Sequence, residues 1–589
     1  MPAGARPTCG PRLRRIVPNC ITAAKVHRVG GGCALIASHL ATGRPLLPRI
    51  RRALRSTSLI LLALLLTLPL LAVLGAWLPW GEGGAQSGAI LRAMATTVLP
   101  GYLWTTLWLG LAVAVGAAVV GTACAAAVTL FDFRGRRSLE WLLLLPLAMP
   151  AYVTAYAYTD FLQFSGPLQV WLRATFGLEG RLLPEVRSLG GAVWVFIFSL
   201  YPYVYLLART ALGERAAHLM EAARLLGASP ARRIRSVALP LARPAVAAGV
   251  ALVLMETLAD FGVAAYFGIQ TFTTGIYKAW LSMDDRLAAA QLATVLLVLV
   301  VLLLQLELRA QRRMRFATGG VGRAGSTEAQ PTRLRGASAV AAWLVCALPV
   351  LMGFVAPVLF MLRPLAADWS VLPWSRFIEW AGNSVRLGGI TAVLAVGIAL
   401  VLAFAVRRRR DALTRGVVQL VSLGYAVPGA VIVVGLLLPV GWMQAAAPGW
   451  GLPAIITATA VGIVWAYLVR FCAVALQSVQ SGYARVSPSL DDSARMLGVG
   501  SLGVLTRVHW PLLKRSTAAA ALLVFVDVMK ELPATMVLRP FNSDTLAVVA
   551  YQLARDERLG EAALPSLALV AVGLVPVILL SRTLRASSR

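Results

Sequence analysis

Charge is in short supply in this sequence. Only 14% of its 589 residues are charged, against about 25% in an ordinary soluble domain. That is too little to coat a water-soluble fold of this length. Lysine is nearly missing, standing only at Lys25, Lys278, Lys514 and Lys530. No lysine follows a glycine and there is no G-x-x-x-x-G-K-[ST], so no phosphate-cradling loop is present. Histidine is scarce and scattered (His27, His39, His218, His509), which argues against a histidine metal cluster. The six cysteines include no C-x-x-C pair, so neither a zinc site nor a disulfide framework is implied. Cys124, Cys346 and Cys472 lie in apolar stretches and read as small hydrophobes. No His-Glu-x-x-His or Gly-x-Ser-x-Gly offers a hydrolytic centre.

Apolar length is plentiful. Hydrophobic residues make up 59% of the chain, mean hydropathy is +0.76, and many windows of about 20 residues carry few or no charges, enough to cross a bilayer as a helix. The expected fold class is therefore all-α: a polytopic membrane protein with about 12 transmembrane helices. The spans are expected near 57–78, 103–130, 139–159, 190–209, 244–268 and 288–308, then 337–362, 384–406, 416–441, 453–476, 515–538 and 562–582. Residues 1–50 are basic and are expected to be either a disordered cytoplasmic tail or the product of an upstream start codon. The remainder divides into a first repeat at 51–308, a polar linker at 309–336 and a second repeat at 337–589.

The net charge of +30 comes from 55 Lys+Arg against 25 Asp+Glu. In a soluble chain it would suggest nucleic acid. Here the arginines cluster after even-numbered spans, at Arg134–Arg137, Arg309–Arg315, Arg407–Arg410 and Arg582–Arg589. The positive-inside rule then places those loops and both termini in the cytoplasm, and no nucleic-acid partner is expected.

The chain repeats itself. Met149-Pro150-Ala151 is echoed by Val427-Pro428-Gly429. At an offset of 271 residues (498 − 227), Gly227 falls on Gly498, Pro240 on Pro511, Glu256 on Asp527, Asp260 on Glu531 and Thr274 on Thr545. Six spans per repeat is an even number, so both repeats enter the membrane from the same side, as parallel six-helix repeats about an axis along the membrane normal. A substrate path is expected between them.

Two long loops on the expected cytoplasmic side carry matched motifs. One reads Glu221-Ala222-Ala223-Arg224-Leu225-Leu226-Gly227 and continues to Leu239-Pro240. The other reads Asp492-Ser493-Ala494-Arg495-Met496-Leu497-Gly498 and continues to Trp510-Pro511. Helix-favouring residues precede a glycine able to take the left-handed cap, and Ser487-Pro488 and Ser229-Pro230 supply helix starts. Each loop is expected to form a short surface helix, a bend and a second helix. These loops resemble the EAA loop of binding-protein-dependent ABC importer permeases. The resemblance implies that Glu221, Ala222, Ala223, Gly227 and Pro240 serve one ATPase subunit, and Asp492, Ser493, Ala494, Gly498 and Pro511 the other. The second copy departs from the pattern at Asp492, Ser493 and Trp510.

Charged residues inside spans are costly and tend to be functional. Glu256 and Asp260 are four apart, as are Asp527 and Glu531, which would put each pair on one helical face. They are candidates for lining the translocation path; helix-packing ion pairs or acids at the outer interface are the alternative. Carboxylates suit a hard cation. Tyr152 and Tyr156 read as an interfacial belt, or as added phenols on that path. Met255-Glu256-Thr257-Leu258-Ala259-Asp260-Phe261-Gly262 and Asp527-Val528-Met529-Lys530-Glu531-Leu532-Pro533-Ala534-Thr535 resemble the two halves of ferric-iron importer permeases. That resemblance implies a bacterial inner-membrane permease subunit without catalysis of its own. Its partners would be two ABC ATPase subunits, a periplasmic substrate-binding protein and membrane lipid. No cofactor would be bound by this chain, ATP being used by the partner subunit, and no firm metal site is implied. Thiamine, polyamine and phosphonate permeases share parts of these motifs. A secondary transporter would fit the span count without explaining the paired loops.

Overall fold

Proline sets the breaks between helices. The computed structural model describes residues 46–78, 89, 92–318, 331–370, 372–408 and 411–586. The expectations for residues 1–45 of the tail and 319–330 of the linker lie outside the described residues. Those described are helical throughout, save for connecting turns and two short strands, Phe131–Asp132 and Thr332–Arg333, paired in parallel. The first repeat begins with α1 (Leu46–Gly75) and α2 (Leu99–Leu130). A short helix and a 3₁₀ turn lead to Pro150, which caps α3 (Ala151–Leu162) with extended backbone at φ −60°, ψ 141°. Proline has no N–H to donate and pushes the residue before it out of helical space. The expected single span at 139–159 is thus two helical segments meeting at 91°. Then follow α4 (Leu189–Leu225), α5 (Leu239–Ala259), α6 (Gly262–Phe267) and α7 (Arg286–Thr318).

The second repeat reproduces this plan. It contains α8 (Ala337–Val350), α9 (Ala356–Ala367) and α10 (Trp374–Arg408). Pro428, at φ −59°, ψ 141°, then caps α11 (Gly429–Ala446) as Pro150 caps α3. After α12 (Ala460–Tyr483) come α13 (Pro488–Met496), α14 (Trp510–Lys530), α15 (Pro533–Leu538) and α16 (Leu559–Ala586). One pairing in the repeat needs correction. Thr274 sits inside a helix whose N-cap is Thr271, whereas Thr545 is itself an N-cap, so Thr271 is its equivalent and the second repeat carries extra residues before it.

Ten described helices are long and apolar enough to cross a membrane, or eleven if the bent pair counts as one span. The expected count of about 12 is therefore high by this measure. The missing one is α14, whose 21 residues include Lys514, Arg515, Asp527 and Lys530. It nonetheless occupies the position in the second repeat that α5 holds in the first.

Residues 59–589 form one compact unit. Within it, α2, α4 and α5 pack together, and α10, α12 and α14 do the same in the second repeat. The leading helices are exchanged. Trp465 on α12 donates to the Leu65 carbonyl of α1 at 2.8 Å, and a Cβ on Gly435 of α11 would sit 2.0 Å from the Pro69 oxygen. Reciprocally, Tyr158 of α3 donates to the Met352 carbonyl at 2.7 Å, and a Cβ on Gly353 would sit 2.2 Å from the Phe198 oxygen of α4. Each repeat's first span therefore lies against the other repeat. Large apolar side chains such as Trp104, Val119, Ile378 and Val393 stay exposed on the spans, as lipid-facing surface should.

Candidate functional site

The paired loops share one backbone geometry. Gly227 stands at φ +77° and Gly498 at φ +76°, the left-handed region where a side chain is strained. Ala228 donates to the Ala223 carbonyl and Val499 to that of Ala494, both at 3.0 Å. These are equivalent bonds of a Schellman-type cap, reproduced 271 residues apart. The residues just before each glycine are apolar and exposed: Leu225 at 84% and Leu226 at 88%, Met496 at 89% and Leu497 at 82%. Each loop thus offers two uncovered apolar side chains on a rigid turn. Beyond the turns, π-helical segments at Ile234–Ala238 and Val504–His509 lead into Pro240 and Pro511 near the starts of α5 and α14. A widened turn accommodates a proline that cannot donate and whose ring crowds the preceding turn.

The loops differ in one respect from expectation. In the second repeat a separate helix forms, α13, capped by Ser487, whose Oγ accepts from Ser489 N. In the first, the motif is the end of α4, a 37-residue helix continuing from the membrane span. Ala222 is exposed and Ala223 half-buried; Glu221 lies on α4, its side chain outside the described residues. Asp492 and Ser493 are exposed, with Asp492 accepting from Arg495 at 3.1 Å, and Ala494 is buried. Asp491, one residue earlier, is buried instead, and the sequence reading did not select it.

The four candidate acids meet in one cavity of about 200 Å³ between the repeats, also lined by Tyr152, Tyr203, Tyr425, Arg470 and Lys530. They do not share helical faces as expected. Helix α5 ends at Ala259 and α14 at Lys530, so Asp260 and Glu531 sit on extended backbone beyond the helix ends. Both are caps. Asp260 Oδ2 accepts from Val263 N at 2.9 Å and Ala264 N at 3.3 Å. Glu531 accepts from Ala534 N and Thr535 N, each at 2.9 Å, and from the Thr535 hydroxyl at 2.7 Å. A carboxylate at a helix N-terminus satisfies amides that have no intrahelical partner.

Glu256 and Asp527 accept from no backbone amide among the described residues. Tyr425 donates to Glu256 Oε1 at 2.8 Å. Lys530 makes no ion pair with Asp527 or Glu531 among the described residues; its ammonium donates to the Leu147 carbonyl at 2.9 Å. Arg470 lies 3.7 Å from Glu531 Oε1. Arg470 was missed from sequence, though an arginine inside an apolar span is itself the signal. Tyr152 and Tyr156 are buried, 5% and 3% exposed, and form no interfacial belt. Tyr152 lines the cavity and donates to the Lys530 carbonyl at 3.3 Å, tying α3 to the end of α14. No cluster of three or more His, Cys, Asp or Glu able to hold a metal ion occurs among the described residues.

Two matched repeats, matched capped loops and a polar cavity between the repeats describe a transport permease. Residues 117–315 match the family described as "Binding-protein-dependent transport system inner membrane component". The chain is 26% identical to the Fe(3+)-transport system permease protein FbpB 2 of Haemophilus influenzae, covering 82% of this chain and 89% of that protein. It is 25% identical to the probable ABC transporter permease protein y4fN of Sinorhizobium fredii, covering 82% and 87%. Over 29% of its length it is 32% identical to the sulfate transport system permease protein CysW of Escherichia coli. The chain is a multi-pass inner-membrane permease subunit of the binding-protein-dependent ABC importer type, and its relatives are transport subunits rather than enzymes.

Proposed function

We propose that this permease carries ferric iron across the inner membrane, driven by two ABC ATPase subunits at the loops and supplied by a periplasmic binding protein. The observation that carries the reading is the carboxylate- and phenol-lined cavity between the repeats, in a chain similar over most of its length to an Fe(3+)-transport permease. Hard oxygen donors match a hard cation. Glu256 and Asp527, free of capping duty, are the contacts proposed for the cargo, and Lys530 and Arg470 keep the site from binding it tightly. Both termini and both loops face the cytoplasm. The 1–50 tail, whose last five residues already begin α1, precedes one permease repeat, and the 309–336 linker, whose first ten residues continue α7, joins it to the next.

Coupling runs through Leu225–Leu226 and Met496–Leu497, which fill apolar grooves on the two ATPase subunits, with Gly227 and Gly498 fixing their angle. ATP-driven approach of the ATPases opens the path outward, and hydrolysis returns it inward. The test is uptake of labelled ferric iron by iron-starved cells lacking any second iron system. Deleting the chain, or replacing both Gly227 and Gly498 by valine, is expected to abolish uptake, with the variant still inserted in the membrane. Unchanged uptake after deletion would refute iron as cargo.

A further inference from the structure

The second loop is held by a joint that has no counterpart among the described residues of the first. Helix α12 ends at Tyr483 and α13 begins at Pro488, so the chain between them could hinge. Arg407, from the cytoplasmic end of α10, closes that gap. Its guanidinium donates to Asp491 Oδ2 at 2.7 Å and Oδ1 at 3.3 Å. It also donates to the carbonyls of Tyr483 at 3.3 Å, Val486 at 2.9 Å and Ser487 at 2.9 Å. One planar fork thus grips α13 and the whole connection leading to it. On the other side, His509 Nε2 lies 2.7 Å from Asp491 Oδ1, and its Nδ1 lies 3.2 Å from the Tyr483 hydroxyl. His509 is fully buried and stands one residue before α14. Asp491 is therefore the point at which α13 is bound to both α10 and α14.

At the offset of 271, Asp491, Tyr483 and His509 correspond to Met220, Leu212 and Ala238. None of these can form such bonds, and the first loop needs none, because α4 runs unbroken into it. The two loops are thus made rigid by different means: helix continuity in one, a polar joint in the other.

We infer that Asp491 is a positioning residue for ATP coupling, transmitting the movement of α13 to α10 and α14 through Arg407 and His509. This rests on the loops being the ATPase docking sites, but not on the identity of the cargo. The experiment uses the complete importer in proteoliposomes and reads ATPase subunit retained, and the ratio of ATPase activity with and without substrate-loaded binding protein. Asp491→Asn is expected to retain the ATPase subunit and lower the ratio several-fold. Asp491→Glu should restore most of it, and Met220→Ala should leave it as in the wild type. Asp491→Asn and Arg407→Gln combined should lower the ratio little further than Arg407→Gln alone, since Arg407 also holds the carbonyls of the same joint. An unchanged ratio in Asp491→Asn would overturn the inference. So would loss of the ATPase subunit in that variant, which would make Asp491 a docking residue, or an equal fall in Met220→Ala. If the wild-type chain itself retains no ATPase subunit, the docking reading falls and the joint falls with it.

Discussion

Asp260 and Glu531 illustrate how position decides what a carboxylate does. Each is the first residue past a helix and accepts from the amides of the next one. A charge-assisted hydrogen bond contributes about 1.5–3 kcal/mol, so Glu531→Gln, which weakens at least one acceptor, is expected to destabilise the chain by about 2 kcal/mol. A lowered thermal midpoint of the detergent-solubilised protein would register it. Glu256 accepts from the Tyr425 hydroxyl and has no backbone amide to cap among the bonds described. Glu256→Gln is expected to leave the midpoint within about 2 °C, no more than about 1 kcal/mol at the 2–4 °C per kcal/mol typical of larger domains, while lowering ferric uptake several-fold. The sequence revealed all four acids through their spacing and repetition. It could not separate caps from free groups, because a pair at i, i+4 looks alike whether the helix continues or stops between them. Arg470 was equally visible as an intramembrane charge, whereas Tyr203 and Tyr425 reach the cavity through tertiary packing and, for Tyr425, the hydrogen bond to Glu256, neither of which spacing reveals.

At the level of elements, the loops were the most legible feature of the sequence. The left-handed glycines and the start of α13 at Ser487-Pro488 follow from local chemistry alone. The continuity of α4 also had a local signal: residues 210–220 contain no proline, whereas the second loop has Pro488. The joint at Asp491 was hidden because its partners lie 84 and 18 residues away. Arg407 reads in sequence only as one of a run of topogenic arginines. The joint has a pH signature. Burial acts to raise the Asp491 pKa, but the hydrogen bonds from Arg407 and His509 outweigh it and hold the carboxyl below its ordinary value. A carboxyl lowered in the folded state contributes stability that is complete above its unfolded pKa, about 3.9, and is lost as pH falls through the folded value. The stability difference between wild type and Asp491→Asn is therefore expected to be constant from pH 7 to about 5, to begin to fall near 4 and to be lost only below the lowered folded pKa. Thermal unfolding across that range measures it; a difference that grew on acidification would contradict the assignment.

At the scale of the molecule, the repeats are legible as sequence but their exchange of leading helices is not. Hydropathy gives the order of spans and says nothing of which neighbour each one meets. Close approach at Gly435 and Gly353 is what the exchange requires, and a glycine in an apolar span has many other uses. Gly435→Leu would drive a side chain into the Pro69 carbonyl. It is expected to prevent α1 from seating, which would appear as rapid proteolysis of the chain in membranes, while Gly397→Leu, at a position with open space around it, should be tolerated. The exchange also has a consequence in time. Synthesis proceeds from the N-terminus at roughly 5–20 residues per second, so α1 reaches the bilayer on the order of half a minute before α11 and α12 exist to receive it. During that interval the surface that later meets Gly435 and Trp465 faces lipid alone. Helix α1 is thus inserted well before it acquires these neighbours.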